Sequence, residues 1–93
     1  MKKLTIFYLE DCPYCRKAED ALKELKSENS GYEKVEIQWI EESRRPEIAD
    51  KYNYYYVPCI FCGSEKLYEC SPADNYSEIK RQFESALKAA AGQ

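Results

Sequence analysis

The chain has no long apolar run, no basic surplus and no even set of cysteines, and each of these absences excludes something. No stretch approaches the roughly 20 apolar residues needed to cross a membrane. Lys2-Lys3 and the six residues after them resemble the start of a secretion signal. That run is too short, and Glu10-Asp11 ends it before any small-residue cleavage site. Lysine and arginine total 14 against 17 acidic residues, a net charge of −3, and they form no cluster, which argues against nucleic acid as a partner. Five cysteines, an odd number, without a signal argue against a structural disulfide framework and place the chain in a reducing cytoplasm. Glycine (3) and proline (4) are scarce, and there is no repeat, low-complexity segment or linker. With 93 residues, 44% hydrophobic and 33% charged, the expectation is one globular domain over residues 1–93 with a modest core.

What is present centres on Cys12-Pro13-Tyr14-Cys15. The apolar run Leu4-Thr5-Ile6-Phe7-Tyr8-Leu9 leads into it. Arg16 to Lys26 follows, charged but with apolar residues at helical spacing. A strand running into a helix with a C-x-x-C pair at the junction reads as a thiol–disulfide redox motif. A cysteine at a helix N-terminus faces unpaired backbone N–H groups and the positive end of the dipole, an environment that favours a thiolate. Pro13 suits the first helical position, where its missing N–H costs nothing. Cys12 is then the N-cap with its sulfur toward solvent, and Cys15, one turn on, is placed to attack a mixed disulfide formed at Cys12.

The remaining elements follow in order. Residues 3–9 read as a buried central strand. The first helix carries Ala18, Ala21, Leu22 and Leu25 on one stripe, with Glu19 and Lys23 spaced for an i,i+4 ion pair. Asn29-Ser30-Gly31 is its stop, with Gly31 in the left-handed conformation. From Lys34 to Ile40 the chain alternates, Val35, Ile37 and Trp39 on one face and Glu36 and Gln38 on the other. That strand should run parallel to the first through a right-handed crossover. Pro46 opens a short helix carrying Ile48, Ala49 and Tyr52 inward, with Asn53 as a left-handed closing residue. Gly63-Ser64 reads as a tight turn between antiparallel strands, the second over residues 66–70. Ser71-Pro72 or Asp74-Asn75 starts a last helix with Tyr76, Ile79, Phe83, Leu87 and Ala90 buried. The order is β-α-β-α-β-β-α.

With Cys12-Pro13-Tyr14-Cys15, then Val57-Pro58 some forty residues on before a hairpin, and with this element order, the chain resembles the glutaredoxins of the thioredoxin-fold superfamily. The resemblance spans essentially the whole chain. It implies an α/β fold, a four-stranded mixed sheet flanked by helices, with Val57–Pro58 a cis peptide facing the cysteine pair. It further implies thiol–disulfide exchange in which Cys12 attacks, Cys15 resolves, and glutathione closes the cycle as co-substrate with no bound cofactor or metal. The substrate-contacting set it implies is Pro13, Tyr14, Arg45, Val57, Pro58 and Ser71, with the Val57 backbone pairing with an extended substrate. The partners are disulfide-containing proteins or small molecules, and the chain is expected to be a monomer.

Two departures from the family pattern bear on glutathione. The residues before Cys12 are Glu10 and Asp11, where many glutaredoxins carry a lysine. Like charges oppose a thiolate, and Arg16 and Lys17 are the candidates to offset them. After the hairpin the usual Gly-Gly pair is replaced in Tyr68-Glu69-Cys70-Ser71-Pro72-Ala73-Asp74, and Pro72 removes a donor. Ser71 reads either as a glutathione contact or as a helix N-cap. Arg45 reads either as a carboxylate clamp or as part of a solvated charged turn. Cys59 and Cys62 form a second C-x-x-C. With Cys12 and Cys15 they offer four thiolates, but i and i+3 on a strand point to opposite faces, which opposes a zinc site. Cys59 is also a candidate to lie near the active pair, and Cys70 is expected as a packed strand residue. Tyr54, Tyr55 and Tyr56 read either as a surface beside the substrate groove for a protein or peptide disulfide or as packing of the loop under Pro58, and at least one should be in the core and one exposed. Three alternatives stand beside the glutaredoxin reading: a thioredoxin-like electron donor reduced by a flavoprotein reductase, a metal or iron–sulfur carrier, and a non-enzymatic adaptor.

Overall fold

Strand β1 (Leu4–Tyr8) is the axis on which the other elements are assembled. In the computed structural model, which describes residues 2–92, it pairs in parallel with β2 (Ile37–Glu41) and antiparallel with β3 (Cys59–Cys62). A second antiparallel pairing adds β4 (Glu65–Glu69), giving the order β2-β1-β3-β4. The four-stranded mixed sheet with helices on both sides is the architecture the sequence implied.

Alternation along β1 feeds two cores, because successive strand side chains point to opposite faces. Leu4 and Ile6 join Ile60, Tyr68 and Cys70 under α1 (Pro13–Glu28) and α3 (Tyr76–Ala91), which pack through Ala18, Leu22 and Leu25 against Ile79, Phe83 and Leu87. Phe7 faces the other way into a smaller core with Ile40, Cys59 and Phe61, covered by Ile48, Ala49, Tyr52, Tyr54 and Val57. Helix α2 (Pro46–Ala49) is a single turn, so aromatic rings supply most of the cover on this face. Phe7 stacks on Tyr54 at 5.0 Å between ring centroids and meets Tyr52 at 4.7 Å.

The turns depart from expectation where local polar bonds replaced left-handed residues. Helix α1 ends at Asn29 in extended conformation, and Gly31 has no positive φ. The Asn29 side chain accepts from the Gly31 N–H at 2.9 Å and so starts a 3-10 helix, Ser30–Lys34. That helix takes Val35 out of β2, which begins at Ile37. Asn53 likewise has no positive φ. Gly63 is the turn that needs its glycine: φ is +62° at the first central position of the two-residue β3–β4 loop, as a type II′ hairpin demands. In β4, Ile60 pairs with Tyr68 and Phe61 with Lys66, so Leu67 is an extra residue at a bulge. The last helix is capped by Asn75, whose side chain accepts from Glu78 N–H at 2.9 Å, and Tyr76 is only half-buried. Glu19 and Lys23 do not form an ion pair among the described residues.

Candidate active site

The cysteine pair sits where β1 hands the chain to α1. The Cys12 N–H donates to Leu9 O at 3.2 Å, turning the chain, and Cys12 adopts the extended φ and ψ of an N-cap. Its carbonyl accepts from Cys15 N–H at 3.1 Å and from Arg16 N–H at 3.2 Å, which closes the first helical turn. Pro13 takes the first helical position, as its missing donor and fixed φ dictate. Cys12 is thereby half-exposed and Cys15 is 1% exposed. All five cysteines are thiols.

Burial pushes the Cys15 thiol up to about 12. A backbone contact with Leu9 works against the rise, while the adjacent Cys12 and the nearby Cys70 add to it. Near neutral pH Cys15 therefore holds its proton, the state a resolving thiol has before the mixed disulfide forms.

Facing the pair is Val57–Pro58, a cis peptide as the sequence resemblance implied. The Cys12 thiol lies 3.8 Å from Val57 O and donates toward it. Pro58 is buried. Its carbonyl accepts from Cys70 N–H at 3.0 Å, which ties it to the end of β4, and β3 begins at the next residue, paired with β1. The fixed sheet thus holds Val57 over Cys12.

The other expected contacts are placed less uniformly. Tyr14 donates its hydroxyl to Pro72 O at 2.7 Å, joining the start of α1 to the loop before α3, with Lys17 Nζ 5.4 Å from its ring centre. Ser71 lies in that loop, exposed. Its hydroxyl accepts from Ala73 N–H at 3.2 Å and its N–H donates to Asp74 Oδ2 at 3.0 Å, so it is a turn residue and not the cap of α3. Asp74 also accepts from the Tyr68 hydroxyl at 2.6 Å. That bond, ahead of the one from Ser71, holds the Asp74 carboxyl below its ordinary range. Arg45 is exposed and pairs with Glu47 at 2.9 Å.

Sequence reasoning passed over Arg44, Glu41 and Glu69. Arg44, not Arg16 or Lys17, forms the ion pair with Glu10, the first of the two acids before Cys12, at 2.5 Å. Glu41, buried at the end of β2, accepts from Glu10 N–H at 3.0 Å and from Ser43 N–H, Ser43 Oγ and Arg44 N–H. It joins the loop before Cys12 to the loop before α2. Chiefly through the Ser43 hydroxyl, then the Glu10 amide, its carboxyl is held below the usual range despite burial. A glutamate closing an alternating strand carries no periodic signal of that task.

The remaining thiols are split by the sheet. Cys59 packs in the smaller core with Phe7, and Cys62 leans on the larger one, the opposite-face placement expected of i and i+3. Cys59 thus belongs to the smaller core on the Phe7 face, while Cys70, in the larger core, lies near enough to Cys15 to act on its thiol. Among the described residues no three ligating side chains converge as a metal site. Burial, ahead of Glu69 and Glu42, pushes Cys59 to about 12 against an ordinary 9.0. The folded chain holds this proton to about pH 12 and the unfolded chain releases it near 9. The stabilising term is complete below pH 9 and is lost above it at about 1.4 kcal/mol per pH unit. Cys59→Ala is expected to be less stable than wild type at pH 8. Its deficit should shrink by pH 10, and a constant gap in urea midpoints would refute this.

A family model described as Glutaredoxin matches residues 4–67. No curated protein matches the chain. Among solved structures, thioredoxin 1 from the thermophilic eubacterium Thermosipho africanus TCF52B is similar, with TM-score 0.59 and 15% identity over 94% of this chain and 96% of that one. A point mutant of thioredoxin from Halobacterium salinarum NRC-1 is also similar, with TM-score 0.58 and 18% identity over 95% of this chain and 73% of that one. At these identities the two structures speak to the fold, which is the thioredoxin fold. No helix among the described residues is long and apolar enough to cross a membrane.

Proposed function

The chain belongs to the glutaredoxin family, and from that premise we propose that it is a cytoplasmic, monomeric, single-domain thiol–disulfide oxidoreductase in which Cys12 is the nucleophile and Cys15 the resolving thiol. The observation that carries the assignment is the half-exposed Cys12 thiol, 3.8 Å from Val57 O, with the buried, protonated Cys15 one turn away. Cys12 as thiolate attacks one sulfur of the substrate disulfide. That S–S bond breaks, its other sulfur leaves as a thiolate and takes a proton, and Cys12 is joined to the substrate. Cys15 then gives up its proton and attacks Cys12 Sγ. The second substrate sulfur departs as a thiol, and the chain is left with a Cys12–Cys15 disulfide. Two electrons and two protons have passed to the substrate. In this reading Pro13 and Tyr14 frame the nucleophile, Val57 and Pro58 form the wall the substrate lies along, and Arg45 and Ser71 are its outer contacts.

Two thiols of glutathione return the pair to the reduced state, forming glutathione disulfide. A second reading, reduction by a flavoprotein reductase, is favoured by one observation. The groups after the hairpin that could receive a small charged peptide are already engaged within the chain, Asp74 by Tyr68 and Ser71, and the Pro72 carbonyl by Tyr14. Parallel assays separate the two. Oxidised protein is supplied either with glutathione and glutathione reductase or with a thioredoxin reductase system. Turnover with glutathione is expected, and reduction by the flavoprotein system alone would transfer the chain to the second reading.

A further inference from the structure

Tyr55 and Tyr56 are the large apolar side chains most open to solvent among the described residues, 90% and 53% exposed. They stand two residues and one residue before Val57, on the approach to the cysteine pair. Neither belongs to a strand or helix, yet the backbone that carries them is fastened. The Tyr55 and Tyr56 N–H groups both donate to Glu69 Oε2, at 2.7 and 2.8 Å. Glu69 can reach them because it is the cross-strand partner of Cys59, the residue after Pro58. Its other oxygen accepts from Lys66 Nζ at 2.8 Å, which holds the carboxylate from the far side. On the inner side, Tyr54 is stacked on Phe7 and donates its hydroxyl to Glu42 at 2.7 Å.

Two exposed aromatic rings on a fixed backbone are a costly surface to leave uncovered and an inexpensive one to bind with. Tyrosine supplies a large contact area while few rotamers are lost, and no ordering of the loop remains to be done. Successive Cα atoms are about 3.8 Å apart, so a group resting on Tyr55 and a sulfur held at Cys12 are separated by on the order of 10 Å. A ligand touching both is about three residues of extended chain, running along the backbone of residues 55–57. A small disulfide reaches Cys12 and never meets the rings.

We propose that Tyr55 and Tyr56, held in place by Glu69, form a docking element for the polypeptide that flanks a protein disulfide, and so determine that proteins are favoured over small disulfides as substrates. This rests on the assignment of disulfide reduction to Cys12 and Cys15. Tyr55 and Tyr56 contact the substrate, and Glu69 is a positioning residue that acts through them.

The test compares insulin, as the protein disulfide, with bis(2-hydroxyethyl) disulfide, dithiothreitol supplying electrons to the full chain in both cases. The double variant Tyr55→Ala/Tyr56→Ala is expected to lose about tenfold in kcat/KM on insulin, carried by KM, and less than twofold on the small disulfide. Glu69→Ala frees both amides and removes neither ring. It is expected to raise KM on insulin at least threefold, with kcat on the small disulfide retained. An unchanged KM in Glu69→Ala overturns the positioning role. Equal losses on both substrates, or none, in the tyrosine variant overturn the docking element while leaving the redox assignment intact. A wild type inert on both substrates overturns the redox assignment and this inference together.

Discussion

Cys12→Ser is expected to reduce disulfide exchange to background, whereas Cys15→Ser is expected to stop halfway, with the substrate held on Cys12. The asymmetry follows from exposure and protonation. Cys12 is half-exposed at the N-cap of α1, and it alone of the pair meets solvent and the Val57 carbonyl. A serine there has no accessible thiolate, so no mixed disulfide forms. Cys15 is buried and keeps its proton to about pH 12, which makes it unfit to open an external disulfide. Its place one turn from Cys12 suits it to the second step only. In Cys15→Ser the first step survives and the product has no internal thiol on the same helix to release it. Mass spectrometry after exposure to a disulfide should show a stable adduct on Cys15→Ser and none on Cys12→Ser. Adduct formation on Cys12→Ser at Cys62 or Cys70, with activity retained, would move the site.

The largest expected effect on stability is at Phe7. It is 0% exposed and is the hub of the smaller core, in ring contact with Tyr52, Tyr54 and Phe61. Phe7→Ala removes the transfer energy of the ring and leaves a cavity under a face that α2, only four residues long, cannot collapse to fill. The cost is about 3–5 kcal/mol, a large share of the roughly 5–15 kcal/mol that holds a domain of this size. At about 4–8 °C per kcal/mol, the melting temperature should fall by about 12 °C or more. Tyr55→Ala, at a 90% exposed ring, serves as the contrast and should stay within about 0.5 kcal/mol of wild type. Urea unfolding of both variants gives the comparison. A Phe7→Ala chain as stable as Tyr55→Ala would mean the aromatic cluster is not a core.

The two expectations have one structural origin. Phe7 supports Tyr54 from below, and Tyr54 leads into the residues that carry Val57 over Cys12. Weakening the smaller core therefore loosens one wall of the site. The opposite wall, Cys12 at the end of β1, is held from the side by Glu41 through the Glu10 amide.

By itself the sequence determined those features whose cause is local or periodic. The redox pair at a strand–helix junction, the α1 stripe of Ala18, Ala21, Leu22 and Leu25, the parallel course of β2 and the hairpin at Gly63 each follow from residue spacing or backbone preference. They appear in the structure as read. Gly31, Asn53 and the choice between Ser71 and Asn75 as cap did not follow, because several polar residues competed for the same backbone donors. Asn29 satisfied Gly31 from its side chain, and Asp74 and Ser71 closed a turn that left Asn75 to cap α3. Tertiary structure alone decided the tasks of Glu41, Arg44 and Glu69. An acid or base has no preferred face that spacing can reveal, and its role depends on which amides or charges the fold brings within about 3 Å. The same holds for the thiols. Strand alternation gives opposite faces for Cys59 and Cys62, but only the packing on those faces shows that Cys62 joins Cys70 at the larger core while Cys59 is enclosed in the smaller one.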